Sequence, residues 1–117
     1  MRKLLCGFVL CAACGCRIYS QPIQSAYQWN DQQSDGTWVS RTVCVGMTCS
    51  QVVDMLGVPV WSARGHSCRL YHEFNGIWPG LWTSELAFQR GDDLLVVWAE
   101  AGEIIAVGVR VARPKDV

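Results

Sequence analysis

The chain has 117 residues, enough for one small domain, and its ten Lys and Arg residues balance ten Asp and Glu residues, so the formal net charge is zero. The cations are scattered, and no basic cluster is larger than Arg110, Arg113 and Lys115, which excludes the basic surface typical of nucleic-acid-binding proteins. Half of the residues are hydrophobic and six are Trp, so the chain can build a core.

The first sixteen residues have the layout of a secretory signal peptide. Arg2 and Lys3 precede an uncharged apolar run that ends in small residues and cysteines. Because a lipoprotein signal peptidase cuts before such a cysteine, we expect acylation of Cys16, with Cys14 as the alternative lipid site. A membrane-spanning helix needs about 20 apolar residues, more than this run provides. An ordinary cleaved secretory signal is the main rival interpretation.

This segment divides the chain into a signal peptide over residues 1–15, a flexible tether over 16–37 and a single domain over 38–117. The tether is predicted because its Gln, Ser and Asp residues break any apolar periodicity. Removal of the signal also removes Arg2 and Lys3, which leaves eight cations and ten carboxylates in the mature chain.

Three further cysteines are candidates for a disulfide, since an exported protein reaches an oxidising compartment. One disulfide and one remaining thiol are expected among Cys44, Cys49 and Cys68. A Cys44–Cys49 bond is favoured because only a short turn separates the two residues. A bond between Cys49 and Cys68 remains open.

Residues 38–47 fit either a short helix or an entering strand, and a clear helix signal follows them. Thr48 is a good N-cap, and Gln51 three positions later completes a capping box. One apolar stripe is formed by Cys49, Val52, Val53 and Leu56. Gly57 and Pro59 then end the helix. We therefore expect a helix of about eight residues, which must dock on another layer because it is too short to be stable alone.

The second half of the chain is rich in predicted strands. Residues 58–63 and 67–74 are interpreted as two strands or one bent strand, and residues 75–83 form a loop around Pro79 and Gly80. Residues 86–89 fit a short strand, and residues 94–99 and 104–111 fit strong strands joined by a turn at Ala101 and Gly102. Short Gly-containing turns favour an antiparallel meander, and helix before strands predicts a two-layer α+β fold.

The helix motif resembles the signature of the SmpA/OmlA lipoproteins, which include the BamE-type subunit of the β-barrel assembly machinery and the osmotically induced lipoprotein. Eight positions match the signature: Gly46, Met47, Thr48, Gln51, Val52, Leu56, Gly57 and Pro59. More loosely, residues 63–71 resemble the first strand of the osmotically induced branch, and residues 94–109 resemble the closing hairpin of the family. The resemblance implies two short N-terminal helices packed on a three-stranded or four-stranded antiparallel sheet. It also implies a lipid-anchored position at the periplasmic face of the outer membrane, without catalysis. The partner-binding residues of the BamE-type subunit have no match in this chain, and its cysteines at 44 and 49 lie outside the family motif.

Nothing in the sequence predicts an enzyme, a metal site or a cofactor. The chain has two histidines, His66 and His72. His66 and Cys68 could share one face of a strand, but no second Cys/His pair would complete a four-ligand zinc site. A nucleophilic Cys49 at a helix N-terminus is conceivable, but its place on the apolar stripe favours a core or disulfide role. No phosphate-binding loop, pair of catalytic carboxylates or Ser-His-Asp arrangement is evident.

The best candidate contact surface is the loop that contains Trp78, Leu81 and Trp82. Such side chains can enter a partner's pocket or lie among lipid headgroups, and packing over a sheet edge is the structural alternative. We therefore expect a lipid-anchored periplasmic accessory or scaffold protein that assists envelope protein assembly or integrity by binding a protein partner. A secreted inhibitor-like binding module of the same fold, without an assembly role, is the alternative.

Overall fold

The computed structural model describes residues 23–116. The chain forms a first hairpin, β1 (Ala26–Gln32) and β2 (Trp38–Cys44), then helix α1 (Cys49–Leu56), strand β3 (Trp61–Arg64) and helix α2 (Arg69–Asn75). Three longer strands follow, β4 (Thr83–Arg90), β5 (Asp93–Glu100) and β6 (Glu103–Val111). Single turns of 3-10 helix lie at Gly65–Ser67 and at Pro114–Asp116.

Four strands form one antiparallel sheet in the order β3-β4-β5-β6. The predicted strands at the end of the chain and the turn at Ala101 and Gly102 are confirmed, and β4 is longer than expected. Thr83 pairs with Glu100, and Glu100 pairs with Glu103, so these residues mark one end of the sheet. Arg90, Asp93 and Val111 mark the other end, in the same way.

Helix α1 is confirmed, including the residues that begin and end it. The Thr48 hydroxyl accepts the backbone N–H of Gln51 at 3.1 Å, and the Gln51 side chain accepts the backbone N–H of Thr48 at 2.9 Å. Val52 is fully buried in the hydrophobic core, and Met47, which precedes the N-cap, packs against the same core. Gly57 ends the helix with φ of +87°, a conformation that L side chains rarely adopt.

The expected tether contains a strand. Residues 26–32 form β1, which pairs with β2 along its whole length, so the ambiguous stretch 38–47 contains a strand over Trp38–Cys44. Alternate side chains of β1 face inward, so Tyr27 and Trp29 pack against the core. At the tip of β1, Asp31 forms ion pairs with Arg41 and with Arg90 of β4. The hairpin is thus held to the rest of the domain by apolar packing and by the ion pair between Asp31 and Arg90. Residues 16–22 of the predicted tether lie outside the described residues.

The four-stranded sheet is covered on both faces. One core combines Phe88, Leu95 and Val97 of the sheet with Val52 of α1 and Val43 of the hairpin. The other face carries a second core, whose buried members are Leu70, Ala87, Leu94, Val96 and Trp98. Because α2 supplies Leu70, Tyr71 and Phe74 to this second core, the molecule has three layers. Residues 94–99 of β5 are buried on both sides, which explains their continuous apolar sequence.

The predicted fold, two short N-terminal helices on one face of a three-stranded or four-stranded sheet, is wrong. A hairpin precedes both helices, the helices alternate with strands, and they pack on opposite faces of the sheet. The predicted strand over residues 67–74 is instead α2. Leu70, Tyr71 and Phe74 have helical spacing, but a seven-residue helix gives little periodic signal and its formation depends on contacts made by distant residues.

Candidate binding surface

A short loop between α2 and β4 exposes four large apolar side chains. We call residues 77–82 the tryptophan loop. Trp82 is 77% exposed, Leu81 64%, Ile77 63% and Trp78 51%. Three of these residues are the predicted partner-binding residues, and the structure places them together as expected. Ile77 was missed, although it stands next to Trp78 in the same Gly-bounded, Pro-containing segment.

The tryptophan loop is held to the domain although its side chains are exposed. Pro79 is buried, and the Thr83 N–H donates to the Gly80 carbonyl oxygen at 3.2 Å. The Trp78 ring stacks on His72 of α2, with ring centroids 4.1 Å apart and planes inclined by 18°. These contacts restrict the loop before any partner arrives, which lowers the entropy cost of binding.

Gly65 provides the second support of the tryptophan loop. Its φ is +61°, and a Cβ atom at this position would lie 3.2 Å from the Leu81 carbonyl oxygen. Only a residue without a side chain allows this backbone-to-backbone approach without strain. The sequence gives no direct sign of this contact, since Gly65 and Leu81 are distant in the chain.

Beneath the loop, the buried carboxylate of Glu85 fixes the start of α2. One oxygen accepts the Tyr71 backbone N–H at 2.6 Å and the Trp98 indole N–H at 2.8 Å. The other oxygen accepts the Trp61 indole N–H at 2.6 Å and the Leu70 backbone N–H at 3.2 Å. Four donors and the positive end of the helix dipole therefore compensate for the burial of this charge. Sequence reasoning missed Glu85, whose only local sign is a carboxylate between two apolar strand positions.

A buried ion-pair network holds the other side of α2. The Arg110 guanidinium donates to both carboxylate oxygens of Asp116, each at 2.8 Å, and its Nε donates to Glu73 of α2 at 2.5 Å. The hydrogen bond from Arg110 lowers the pKa of Asp116 to about 2, and the Asp116 hydrogen bond raises the pKa of Arg110. Arg113 also donates to Glu73, at 2.9 Å. In the basic cluster of Arg110, Arg113 and Lys115, Arg110 is therefore a buried structural residue of β6.

The three cysteines among the described residues are free thiols, so the structure does not contain the expected disulfide in residues 23–116. Cys44 ends β2, Cys49 begins α1, and Cys68 is buried just before α2. Burial, together with the charge of Glu85, raises the pKa of the Cys68 thiol to about 11, and burial raises that of Cys49. Since the thiolate is the nucleophile, neither environment activates its cysteine.

The structure does not bring metal-ligating residue types together in residues 23–116. Within residues 23–116, no group of three or more His, Cys, Asp and Glu residues is placed to hold a metal ion. His66 is exposed on the 3-10 turn, and the imidazole ring of His72 stacks on the indole ring of Trp78. No helix of the described part is long and apolar enough to cross a membrane. Both candidate lipid sites, Cys16 and Cys14, lie outside the described residues.

Comparison with family models, with curated proteins and with solved structures found no match to this chain.

Proposed function

We propose that this chain is a lipid-anchored accessory protein at the periplasmic face of a bacterial outer membrane, which binds an envelope protein through its tryptophan loop. The single observation that carries the binding role is the exposure of Ile77, Trp78, Leu81 and Trp82 on a segment held by Pro79, His72 and Gly65. The protein acts by binding and steadying its partner, without catalysis.

The composition of the tryptophan loop supports protein binding. Trp is enriched among the residues that contribute most to interface affinity, because it buries a large area with few rotatable bonds. Two exposed Trp residues on one six-residue segment are a concentrated apolar surface for so small a domain. Truncation of such an anchor residue in an interface commonly costs about 2 kcal/mol or more of binding free energy.

The lipid anchor is supported by the sequence of residues 1–16, with Cys16 as the acylated residue and Cys14 as the alternative. The resemblance to the SmpA/OmlA signature supports a position at the outer membrane. This resemblance depends on the α1 motif and on the N-terminal segment alone. The helix arrangement that this resemblance implied differs from the three layers observed. We therefore propose the broader role in envelope integrity and not a specific role in β-barrel assembly.

Two experiments in cells test this function. Labelling with a palmitate analogue should mark the wild-type protein and Cys14→Ala but not Cys16→Ala. A photo-crosslinking amino acid at position 82 or 78 should capture an outer-membrane or periplasmic protein, whereas the same group at the exposed Ser34 in the hairpin turn should not. A released, unacylated product that captures a soluble enzyme would instead support the inhibitor-like alternative.

A further inference from the structure

The chain leaves the domain at a corner far from the tryptophan loop. Gln24 pairs with Val107 of β6 through two backbone hydrogen bonds, of 2.7 and 3.0 Å, in an antiparallel bridge. Because the bridge is antiparallel, the step from Gln24 back to Ile23 runs toward Gly108 and the Val111 end of the sheet. The acylated residue therefore attaches at the β6 edge, on the side of Val111.

The tryptophan loop lies at the other edge and the other end of the sheet. It enters β4 at Thr83, which is level with Glu100 and Glu103, and it touches Gly65 at the end of the edge strand β3. Three strand spacings, from Gln24 across β6 and β5 to β4, and four residues along β6 separate Gln24 from this point, roughly 20 Å before the loop itself is counted. The two features are thus diagonally opposed.

The segment between the lipid and the domain is short because β1 takes up much of the expected tether. Six residues lie between Cys16 and Ile23, so the two Cα atoms are at most about 25 Å apart when this segment is fully extended. A Gly-rich coil of this length has a root-mean-square extension of only about 15 Å. The acyl chains therefore hold the Ile23 corner near the bilayer surface.

Charges around the tryptophan loop fit a protein surface better than a lipid surface. Arg64 and His66 are exposed, and they flank Gly65, which touches the loop at Leu81. The exposed Glu100 accepts a hydrogen bond from the Thr83 hydroxyl at 3.2 Å. A polar rim of mixed sign around apolar anchors is typical of protein interfaces, whereas segments that enter anionic membranes carry a cationic flank.

We infer that in the anchored protein the β6 edge around Ile23 and Val111 faces the bilayer, while the tryptophan loop faces away from it, so that its occupant is an apolar site on a protein in the aqueous periplasm. This inference depends on the proposed anchor at Cys16. It adds to the proposed function the orientation of the domain relative to the bilayer. In this orientation the loop contacts a protein and not the lipid.

The test uses the acylated full-length protein in vesicles of phosphatidylethanolamine and phosphatidylglycerol. A photo-crosslinking amino acid replaces either Val111, which is 56% exposed, or Trp82. Lipid adducts are expected at position 111 and not above background at position 82. Insertion of twenty Gly and Ser residues after Cys16 should reduce the adducts at position 111, because the longer tether releases the corner.

The outcomes separate this orientation from the proposed anchor. Lipid adducts at position 82 that equal or exceed those at position 111 in the acylated protein overturn the orientation and leave the anchor intact. Lipid adducts at position 111 that persist in Cys16→Ser contradict the anchor itself. Adducts at position 111 alone, lost in Cys16→Ser, support both.

Discussion

Glu85 on β4 accepts the backbone N–H of Tyr71 at 2.6 Å and so caps a helix that begins sixteen residues before it in the chain. The same carboxylate binds the indoles of Trp61 and Trp98, so the start of α2, the edge strand β3 and the central strand β5 meet at one buried charge. Helix α2 leads directly into the tryptophan loop. The position of the exposed surface therefore depends on a group that lies entirely inside the protein.

Replacement of this carboxylate by an amide should destabilise the fold. In Glu85→Gln one oxygen becomes an NH₂ group, which would face an indole N–H and a backbone N–H without an acceptor. The expected loss is about 2–4 kcal/mol of the free energy of unfolding, measured by urea denaturation. Asp54→Asn, on the exposed side of α1, is the control and should change this free energy by less than about 0.5 kcal/mol. Equal stability of the two variants would show that the buried charge is not needed.

Gly108 is required by the close approach of α2 to β6. A Cβ atom at this position would lie 2.8 Å from ring atoms of both Phe74 and Trp98. We expect Gly108→Ala to cost about 1–3 kcal/mol of stability through overpacking. Gly80→Ala is a matched control, since nothing lies within 4 Å of its Cβ position. If Phe74→Leu fails to recover part of the loss in the double variant, the clash with Phe74 is not its cause.

The Asp116–Arg110 pair predicts a loss of stability in acid. The pKa of Asp116 falls from its ordinary 3.8 to about 2 in the folded protein, so its contribution is present above pH 4 and disappears as the pH falls toward 2. The difference corresponds to about 2 kcal/mol. Unfolding measured from pH 6 to pH 2 should show this component in the wild-type protein and not in Asp116→Asn. Asp54→Asn serves as the control, and an unchanged acid profile in Asp116→Asn would contradict the assignment.

Truncation of an exposed loop residue should separate binding from stability. Trp82 is 77% exposed, so Trp82→Ala should change the free energy of unfolding by less than about 0.5 kcal/mol. The same change should abolish capture of the partner from the crosslinker at position 78. Trp38→Ala, at a residue that is 64% exposed on the hairpin, is the matched control and should leave capture unchanged. Equal effects of the two variants would remove the tryptophan loop as the binding surface.

The thiol of Cys68 should be unreactive in the folded protein. It is fully buried, its Sγ donates to the Thr83 carbonyl oxygen at 3.6 Å, and its pKa is raised to about 11. In the reduced protein at pH 7.5, a maleimide reagent should modify Cys68 only after denaturation, as mapped by peptide mass spectrometry. Cys44, which is half-buried at the end of β2, is the internal comparison. Rapid labelling of Cys68 in the native protein would show that this thiol is accessible and would contradict its assignment as a buried, protonated group.

The elements predicted correctly are those whose signals are local. Thr48, Gln51 and Gly57 specify both ends of α1. Two runs of apolar and β-branched residues, separated by the turn at Ala101 and Gly102, specify β5 and β6. The loop around Pro79 and Gly80 was also predicted, because such a segment with no periodicity is typical of a surface loop. That Trp78 and Trp82 are exposed, instead of packing over a sheet edge, was decided by the structure.

Tertiary structure alone decided the first hairpin, the second helix and the number of layers. Residues 26–32 are polar at alternate positions and form a strand because Tyr27 and Trp29 can pack on a core built by later residues. Helix α2 is too short to form alone, and it is fixed by Glu85 and by Arg110, which follow it in the chain. Local sequence determines where a helix or turn can begin and end. Whether a short segment becomes ordered depends on the free energy of contacts with distant residues, which no local pattern contains.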